Sequence, residues 1–135
     1  MKVMMFAKAT RHTEAGQRPT REAVVAMHDF NEELQRAGVL LDLGGLLPSS
    51  RGVRVRYRGG KHTVVEGPFS ETRALIAGYA LIEVKTFAEA VEWAKRAPLG
   101  VGAEEVEVEL RPIIDPTTFD PTTFDPASFD PGAGV

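Results

Sequence analysis

The hydrophobic positions in the first third of the chain change from strand-like to helix-like spacing. Residues 2–9 (KVMMFAKA) are almost continuously apolar, which predicts a central strand. The next ten residues are polar and predict a loop. From Thr20 to Gly38 the spacing is helical, with a threonine suited to the N-cap and a glycine suited to the C-terminal end. The buried face of this helix should carry Ala23, Met27, Phe30, Leu34 and Ala37.

The middle of the chain has the alternation expected of strands. Residues 39–48 (VLLDLGGLLP) predict a second strand, whose paired glycines leave room for a ligand or another backbone. The run VRVRYRGGKHTVVE predicts a β-hairpin with Gly59-Gly60 as its two-residue turn. This turn pairs Tyr57 with His62, Val55 with Val64 and Val53 with Glu66 on a face that we expect to point inward; Arg54, Arg56, Arg58 and Lys61 share the other face.

The last part of the folded region predicts a strand, a helix and a strand. Residues 78–84 (GYALIEV) are followed by a helix that begins at Thr86 with a capping box, and residues 104–112 (EEVEVELRP) alternate strictly. The order β-α-β-β-β-β-α-β predicts an α+β fold: a ferredoxin-like antiparallel sheet with two helices on one face and an inserted β-hairpin. Because the other sheet face lacks cover, we expect a homodimer that packs sheet on sheet into a dimeric α/β barrel.

Composition narrows the class of protein. A chain of 135 residues is long enough for one domain with its own core. The absence of cysteine excludes disulfides and thiolate metal sites. We expect a cytoplasmic protein without a membrane partner, because the N-terminus does not resemble a signal peptide and no apolar run approaches the roughly 20 residues of a membrane span.

A repeat begins where the predicted domain, residues 1–113, gives way to a tail, residues 114–135. Three pentads, DPTTF, DPTTF and DPASF, start at Asp115, and a fourth Asp-Pro follows. Asp-Pro favours turns. The regularly spaced phenylalanines suit docking to a protein partner, whereas the composition suits a disordered linker. Four of the 19 acids lie in this tail, and the remaining 16 basic and 15 acidic residues nearly balance, so we expect no nucleic-acid partner.

Three stretches resemble YCII-related proteins of the DGPF type: FNEELQRAGVLL (30–41), LPSSRGVRVRYRGGKHTVVEGPFSETRALIAGY (47–79) and EAVEWAKRAP (89–98). The family's Asp-Gly-Pro-Phe is present as Glu66-Gly67-Pro68-Phe69. The resemblance implies a dimeric barrel, a bacterial origin and a generally unassigned biochemical role. It leaves two alternatives: an accessory or regulatory protein associated with an extracytoplasmic-function sigma factor, and a cofactor-free acid/base lyase or isomerase like a dehydrochlorinase in the wider family.

The sequence departs from its relatives at three positions. The histidine of a His–Asp pair attributed to some relatives falls on Met27, one residue before His28. The acid of the Gly-Glu-Gly-Leu that is usual after the first helix is missing from Leu43-Gly44-Gly45-Leu46, and the tryptophan that is usual after Gly-Tyr is Ala80. The resemblance therefore implies a pocket remodelled toward smaller and less acidic groups, and we expect neither a metal nor a cofactor.

Three residues are candidates for acid/base chemistry. Asp42 interrupts an apolar strand and, if partly desolvated, would suit a general base; an ordinary hydrogen-bonded carboxylate is the alternative. Glu66 should lie near the mouth of the core. His28 would complete a His–Asp pair, although helical geometry turns it about 140° from the centre of the buried face, toward solvent or another subunit.

The ligand-binding candidates surround the Gly67-Pro68 turn. Arg54 and Arg56 would attract a small anionic ligand, although a solvated hairpin face has the same pattern. We expect Phe69 to fill one end of the core and Ser70 to cap the short segment of residues 71–75. Tyr79 would orient an aromatic ligand. The sequence leaves open whether any catalysis occurs.

Overall fold

The computed structural model describes residues 1–100 and 105–132. Within these ranges the chain forms three α-helices and six strands. The helices are α1 (Arg11–Glu14), α2 (Arg21–Arg36) and α3 (Phe87–Lys95). The strands are β1 (Lys2–Lys8), β2 (Leu40–Gly45), β3 (Val53–Arg58), β4 (Lys61–Glu66), β5 (Ile76–Glu83) and β6 (Val108–Pro112). Glu104, the first residue of the predicted last strand, lies outside the described residues.

Four strands form one antiparallel sheet in the order β2-β5-β1-β6, which confirms the ferredoxin-like arrangement. The long helices α2 and α3 cover one face of this sheet. Their contact with the sheet buries a core whose members alternate along the strands and recur at helical spacing: Val3, Met5, Phe30, Leu34, Val39, Ile82, Val84 and Ala90. None of the described helices is long and apolar enough to cross a membrane.

Both long helices begin at the predicted threonine. The side chain of Thr20 accepts a hydrogen bond from the backbone N–H of Ala23, and the side chain of Thr86 does the same from Glu89. The Glu89 carboxylate then accepts from the backbone N–H of Lys85 at 3.0 Å, one residue earlier than a capping box requires. The helices pack together where the ring of Trp93 meets that of Phe30, with centroids 6.4 Å apart.

The ten residues predicted as a loop contain helix α1, so this part of the prediction is wrong. Thr10 and Thr13 form a reciprocal capping box that starts the helix without any buried apolar residue. The last residue of α1 has a structural role, because the Glu14 carboxylate accepts hydrogen bonds from the backbone N–H of Ser49 at 3.0 Å and from its hydroxyl at 2.5 Å. This short helix therefore anchors the segment that follows β2.

Strands β3 and β4 form a separate two-stranded sheet in the predicted register. Gly59 and Gly60 have φ angles of 57° and 75°, the left-handed region that a tight hairpin turn requires. The face expected to point inward is nevertheless exposed: Tyr57 is 82% accessible and Val53 is 58% accessible. The inward orientation of His62 was therefore wrong, because this hairpin does not join the main sheet.

The Gly67-Pro68 stretch is a turn held against residues 49–52. The backbone N–H of Gly67 donates to the carbonyl of Gly52 at 3.0 Å, and that of Phe69 donates to the Ser49 hydroxyl at 3.0 Å. A Cβ atom built on Gly67 would overlap the carbonyl oxygen of Ser49. A side chain at position 67 is therefore incompatible with this approach of two backbones.

The tail forms a series of turns with one aspartate in each. The side chain of Asp115 accepts hydrogen bonds from the backbone N–H and the hydroxyl of Thr117, at 2.9 and 2.8 Å, and Asp120 repeats both bonds with Thr122. These bonds stabilise the anionic form and lower the pKa of both carboxyl groups. The turns bring together the rings of Phe119, Phe124 and Phe129, whose centroids lie 5.5 to 6.0 Å apart.

Candidate functional site

A cavity of about 310 Å³ lies between the sheet and the helical layer. It is at the end of the sheet where β1 and β2 finish and β5 and β6 begin. The strands contribute Met5, Ala7, Leu43, Gly44, Gly45, Ala77, Gly78, Tyr79, Ala80 and Val108; helix α2 contributes Met27, Phe30 and Asn31, and the segment after α3 contributes Ala97 and Leu99.

The cavity exists because small residues meet on neighbouring strands. Ala7 of β1 and Gly45 of β2 both lie opposite Gly78, which is on the strand between them. At the other end of the same face, Val3 and Ile82 are directly paired and fully buried. Large side chains thus fill one end of the space under the helices and leave the other end open.

Among the described residues, the lining is apolar except for one polar side chain, the amide that Asn31 contributes from α2. Tyr79 pairs with Phe6, so its ring lies on the sheet face away from the helices and only its main chain borders the cavity. Tyr79 lies opposite Gly44 in the strand pairing, and a Cβ atom on Gly44 would be 2.7 Å from the tyrosine Cε1. The absence of a side chain at Gly44 therefore lets the tyrosine ring lie across the edge strand. A lining with one amide can hold a ring and hydrogen-bond one polar substituent on it.

The described residues of the lining include no carboxylate or imidazole, the side chains that most often act as general bases. Asp42 is exposed on β2 and pairs with Leu81, so it belongs to the sheet face away from the helices. Its Oδ1 accepts from the backbone N–H of Leu43 at 2.8 Å. The partial desolvation that would suit Asp42 to proton abstraction is not present.

The other two acid/base candidates also lie apart from the cavity. His28 is exposed on α2, and its Nε2 is 3.2 Å from a carboxylate oxygen of Glu32 one turn later. Glu66 is exposed at the end of β4, in the hairpin. The structure does not bring Asp42, Glu66 and His28 together. Among the described residues there is also no group of three or more histidine, aspartate or glutamate side chains that could hold a metal ion.

Some of the predicted ligand-binding residues meet in a small surface cluster outside the cavity. The guanidinium of Arg54 lies 3.8 Å from the ring centroid of Phe69 and 3.4 Å from a carboxylate oxygen of Glu71. Phe69 is half-buried under this arginine and does not fill an end of the core. Arg56 is exposed on the same hairpin face.

Ser70 does not cap the helical turn that follows it. The turn covers Thr72–Ala74, and no side chain caps its N-terminal end. The carbonyl group of Ser70 accepts from the backbone N–H of Thr72 at 3.0 Å, so this residue contributes its backbone. Of the predicted ligand-binding residues, only Tyr79 borders the cavity, and it does so with its main chain while its ring lies on the other sheet face.

Comparison with known proteins gives the family. The model of the YCII-related domain matches residues 1–114. This chain is a YCII-related protein. An uncharacterized protein of Rhizobium meliloti (strain 1021) is 32% identical to it over 59 residues, which are 44% of this chain. The YCII-related chain spans about half the length of that relative, 48%.

A solved structure is also similar to this YCII-related protein. It is the 5-chloro-2-hydroxyhydroquinone dehydrochlorinase of Burkholderia phenoliruptrix AC1100 in complex with 2,5-dihydroxybenzoquinone. The alignment covers 81% of this chain and 91% of that one, with 13% sequence identity and a TM-score of 0.46.

The positions where this YCII-related sequence departs from its relatives converge on the cavity. Met27, Gly44 and Ala80 come from three different elements, and all three line it. The resemblance implied that these departures remodel one pocket, but it did not show where the pocket lies, because the meeting of the three positions depends on strand pairing and helix packing. The coincidence of three departures was the available signal for the site.

Proposed function

We propose that this YCII-related protein binds a small, largely apolar ring compound in the cavity between sheet and helices, without acid/base catalysis there. The observation that carries the proposal is a cavity of about 310 Å³ in which Asn31 is the only polar lining side chain among the described residues. An apolar protein cavity of about 150 Å³ accommodates benzene, so this one has room for one or two rings. The Asn31 amide, which both donates and accepts hydrogen bonds, would orient a hydroxyl or carbonyl substituent.

The same lining weighs against the lyase or isomerase alternative. Removal of a proton or of a leaving group needs a positioned acid or base within hydrogen-bond reach of the substrate. The positions of the family's histidine and acid are Met27 and Gly44 here, which supply neither. The regulatory alternative is association with a sigma factor. It is supported by the family resemblance alone.

A thermal-shift screen with neutral phenols, quinones and simple aromatic compounds tests the proposal. The decisive variant is Gly45→Leu, because Gly45 lines the cavity and a Cβ built there meets nothing within 4 Å. This substitution fills the cavity without a clash at its first atom. We expect compounds that raise the melting temperature of the wild type to lose most of that effect in Gly45→Leu.

The matched control is Asp42→Asn, a substitution in the same strand but outside the cavity. It should keep the full ligand-induced shift. If ligand stabilisation survives in Gly45→Leu and disappears in Asp42→Asn, the binding site is at Asp42 and the cavity proposal fails. A screen in which no compound stabilises the wild type would also contradict it.

We also propose that the chain forms a homodimer by packing its open sheet faces together. Met4, Phe6 and Leu81 alternate with core residues and therefore lie on the face away from the helices, where each is only half-buried. A second copy is the simplest cover for an apolar face on an antiparallel sheet. This surface is independent of the cavity.

Light scattering coupled to size-exclusion chromatography tests the dimer. The wild type should have twice the chain mass of 14.7 kDa. Leu81→Lys should return the mass to that of one chain, because it would bury a charge between the sheets. Val24→Lys changes an exposed valine on α2 and should leave the dimer intact. A monomeric wild type would contradict the proposal.

A further inference from the structure

The hairpin is the least covered part of the folded region. Val53, Val55 and Val64 share one face, and each is about half exposed or more, at 58%, 45% and 58%. A two-stranded sheet with an uncovered apolar face has little stability in isolation. The described part of the chain offers this face no covering element.

The hairpin is also strongly cationic. Between residues 43 and 65 the sequence has five basic residues and no acid: Arg51, Arg54, Arg56, Arg58 and Lys61. Arg54 is paired with Glu71. Within the described residues, no carboxylate lies within salt-bridge distance of Arg56, Arg58 or Lys61. The cations lie on the face opposite the valines, so they attract an acidic segment through space, and the valines offer it an apolar contact.

The tail has that complementary chemistry. It carries four aspartates and no basic residue, and the phenylalanines at 119, 124 and 129 are 51%, 40% and 36% exposed although their rings cluster. The aspartate side chains fix each turn by accepting from the backbone two residues later. A cluster already held in place loses little conformational entropy when it docks.

The two segments leave the sheet at opposite ends. The tail follows Pro112, which pairs with Val3 near the start of β1, whereas the hairpin follows the end of β2 at Gly45. Strand β1 between them is about 20 Å long, and β2 and β6 are about 14 Å apart across the sheet. Phe119 is seven residues after Pro112, about 23 Å at full extension. While its turns are kept, the phenylalanine cluster therefore lies near the end of the sheet opposite the one from which the hairpin of its own chain leaves.

We infer that the tail of one copy docks on the hairpin of a second copy, with the phenylalanine cluster against the valine face. The cations lie on the opposite face of the same two-stranded sheet, within about one Debye length (about 10 Å at 0.1 M salt), so their field attracts the aspartates of the tail. A two-fold axis that sets the strands of two sheets antiparallel brings the tail end of one sheet beside the hairpin end of the other. The contact then forms twice and closes the pair. The inference rests on the proposed homodimer but not on the cavity or its ligand.

The absence of cysteine makes site-specific crosslinking clean. Two full-length chains with different tags are co-expressed, one with Val64→Cys in the hairpin and the other with Thr123→Cys in the tail. A short bis-maleimide should join them at least about fivefold more than it joins Thr123→Cys to Val24→Cys on α2. Raising sodium chloride from about 0.1 M to about 1 M should lower the yield, because the Debye length falls from about 10 Å to about 3 Å.

Charge reversal gives the second measurement. Arg56→Glu with Lys61→Glu should lower the hairpin–tail crosslink about tenfold, since the hairpin then repels the acidic tail instead of attracting it. Arg18→Glu with Arg21→Glu alters the net charge equally, outside the hairpin, and should leave the yield unchanged. Equal losses in the two variants would overturn the inference.

A chain that carries both Val64→Cys and Thr123→Cys distinguishes docking of the tail on its own hairpin from docking on the hairpin of a second copy. An internal crosslink at high dilution, without one between chains, would overturn the inference in favour of docking on the same chain. No crosslink from a protein that light scattering shows to be a dimer would also overturn it, with the dimer intact. A monomeric protein without a crosslink would refute both the dimer and the docking. The proposal of a ligand in the cavity would be unaffected, because the thermal-shift screen tests it independently.

Discussion

At the scale of the residue, two neighbouring glycines shape the edge strand beside the cavity. The ring of Tyr79 lies where a side chain on Gly44 would be, and Gly45, the next residue, faces open space. One glycine is therefore required by a neighbouring ring, and the other leaves volume unfilled. Adjacent residues of the same type have different reasons to be glycine.

Alanine at these two positions should separate the two reasons. We expect Gly44→Ala to be less stable than Gly45→Ala by about 1–2 kcal/mol, because the Tyr79 ring must move out of the way. Urea unfolding followed by the fluorescence of Trp93 measures the difference. In a Tyr79→Leu background the difference should shrink, as the clash is then removed. Equal stabilities of the two alanine variants would contradict the close contact between Gly44 and Tyr79.

At the scale of the element, apolar periodicity predicted most of the fold. The strands and long helices have strong patterns, and the Gly59-Gly60 turn determined the hairpin register that the structure shows. Helix α1 was missed because its residues are polar and its capping box, Thr10 with Thr13, has a threonine where the usual pattern has glutamate or glutamine. For the hairpin, the predicted register is correct and the predicted burial is wrong. Alternation of apolar and polar residues sets which side chains share a face, but it does not show whether another element packs on that face.

The site was less predictable from the sequence than the fold. Asp42 was the leading candidate because a polar residue in an apolar strand attracts attention, yet it lies on the exposed face. The cavity arises where Ala7, Gly45 and Gly78 meet, and small residues on three strands leave no periodic pattern. The packing of Trp93 on Phe30 was likewise not predicted. These placements depend on contacts between elements that are distant in sequence.

The aspartate turns of the tail predict a measurable acid response. Hydrogen bonds from the Thr117 backbone and side chain lower the pKa of Asp115 below its ordinary value of 3.8. Because the pKa is lower in the folded chain, the ionised carboxylate stabilises the turn fully at pH values above the pKa of the unfolded chain. This stabilisation is lost as the pH falls through the folded-state pKa. NMR titration of the carboxyl carbons should show this low midpoint.

Substitution at position 117 tests the cause of the low pKa. Thr117→Val removes the hydroxyl bond but keeps the backbone bond, so the Asp115 midpoint should rise only part of the way toward its ordinary value. Thr118→Val, one residue further on, should leave the midpoint unchanged. An identical response in both variants would show that the threonine hydroxyl has no part in the shift.

At the scale of the whole molecule, stability should be distributed unevenly. Val3 and Ile82 lie in the two central strands, under both helices, where the core is fully packed. The hairpin has only two strands and exposed side chains on both faces. Regions of low packing open locally without global unfolding.

Native-state hydrogen exchange should show this gradient. The amides of β1 and β5 should exchange only through global unfolding, and those of β3 and β4 at least about 100-fold faster. Amides in α2 serve as the intermediate reference, because that helix packs one face on the core. Uniform protection across both sheets would mean that the hairpin unfolds together with the domain.

The pentad turns have a consequence for how the tail varies in evolution. Each unit completes its hydrogen bonds within itself, from one aspartate to the residue two positions later, and contributes one ring. Gain or loss of a whole unit therefore leaves the remaining units and the domain intact. Copy number becomes a way to tune the valency of the tail, because added rings strengthen a multivalent contact through avidity. Its affinity can thus evolve by duplication, with no substitution in the domain.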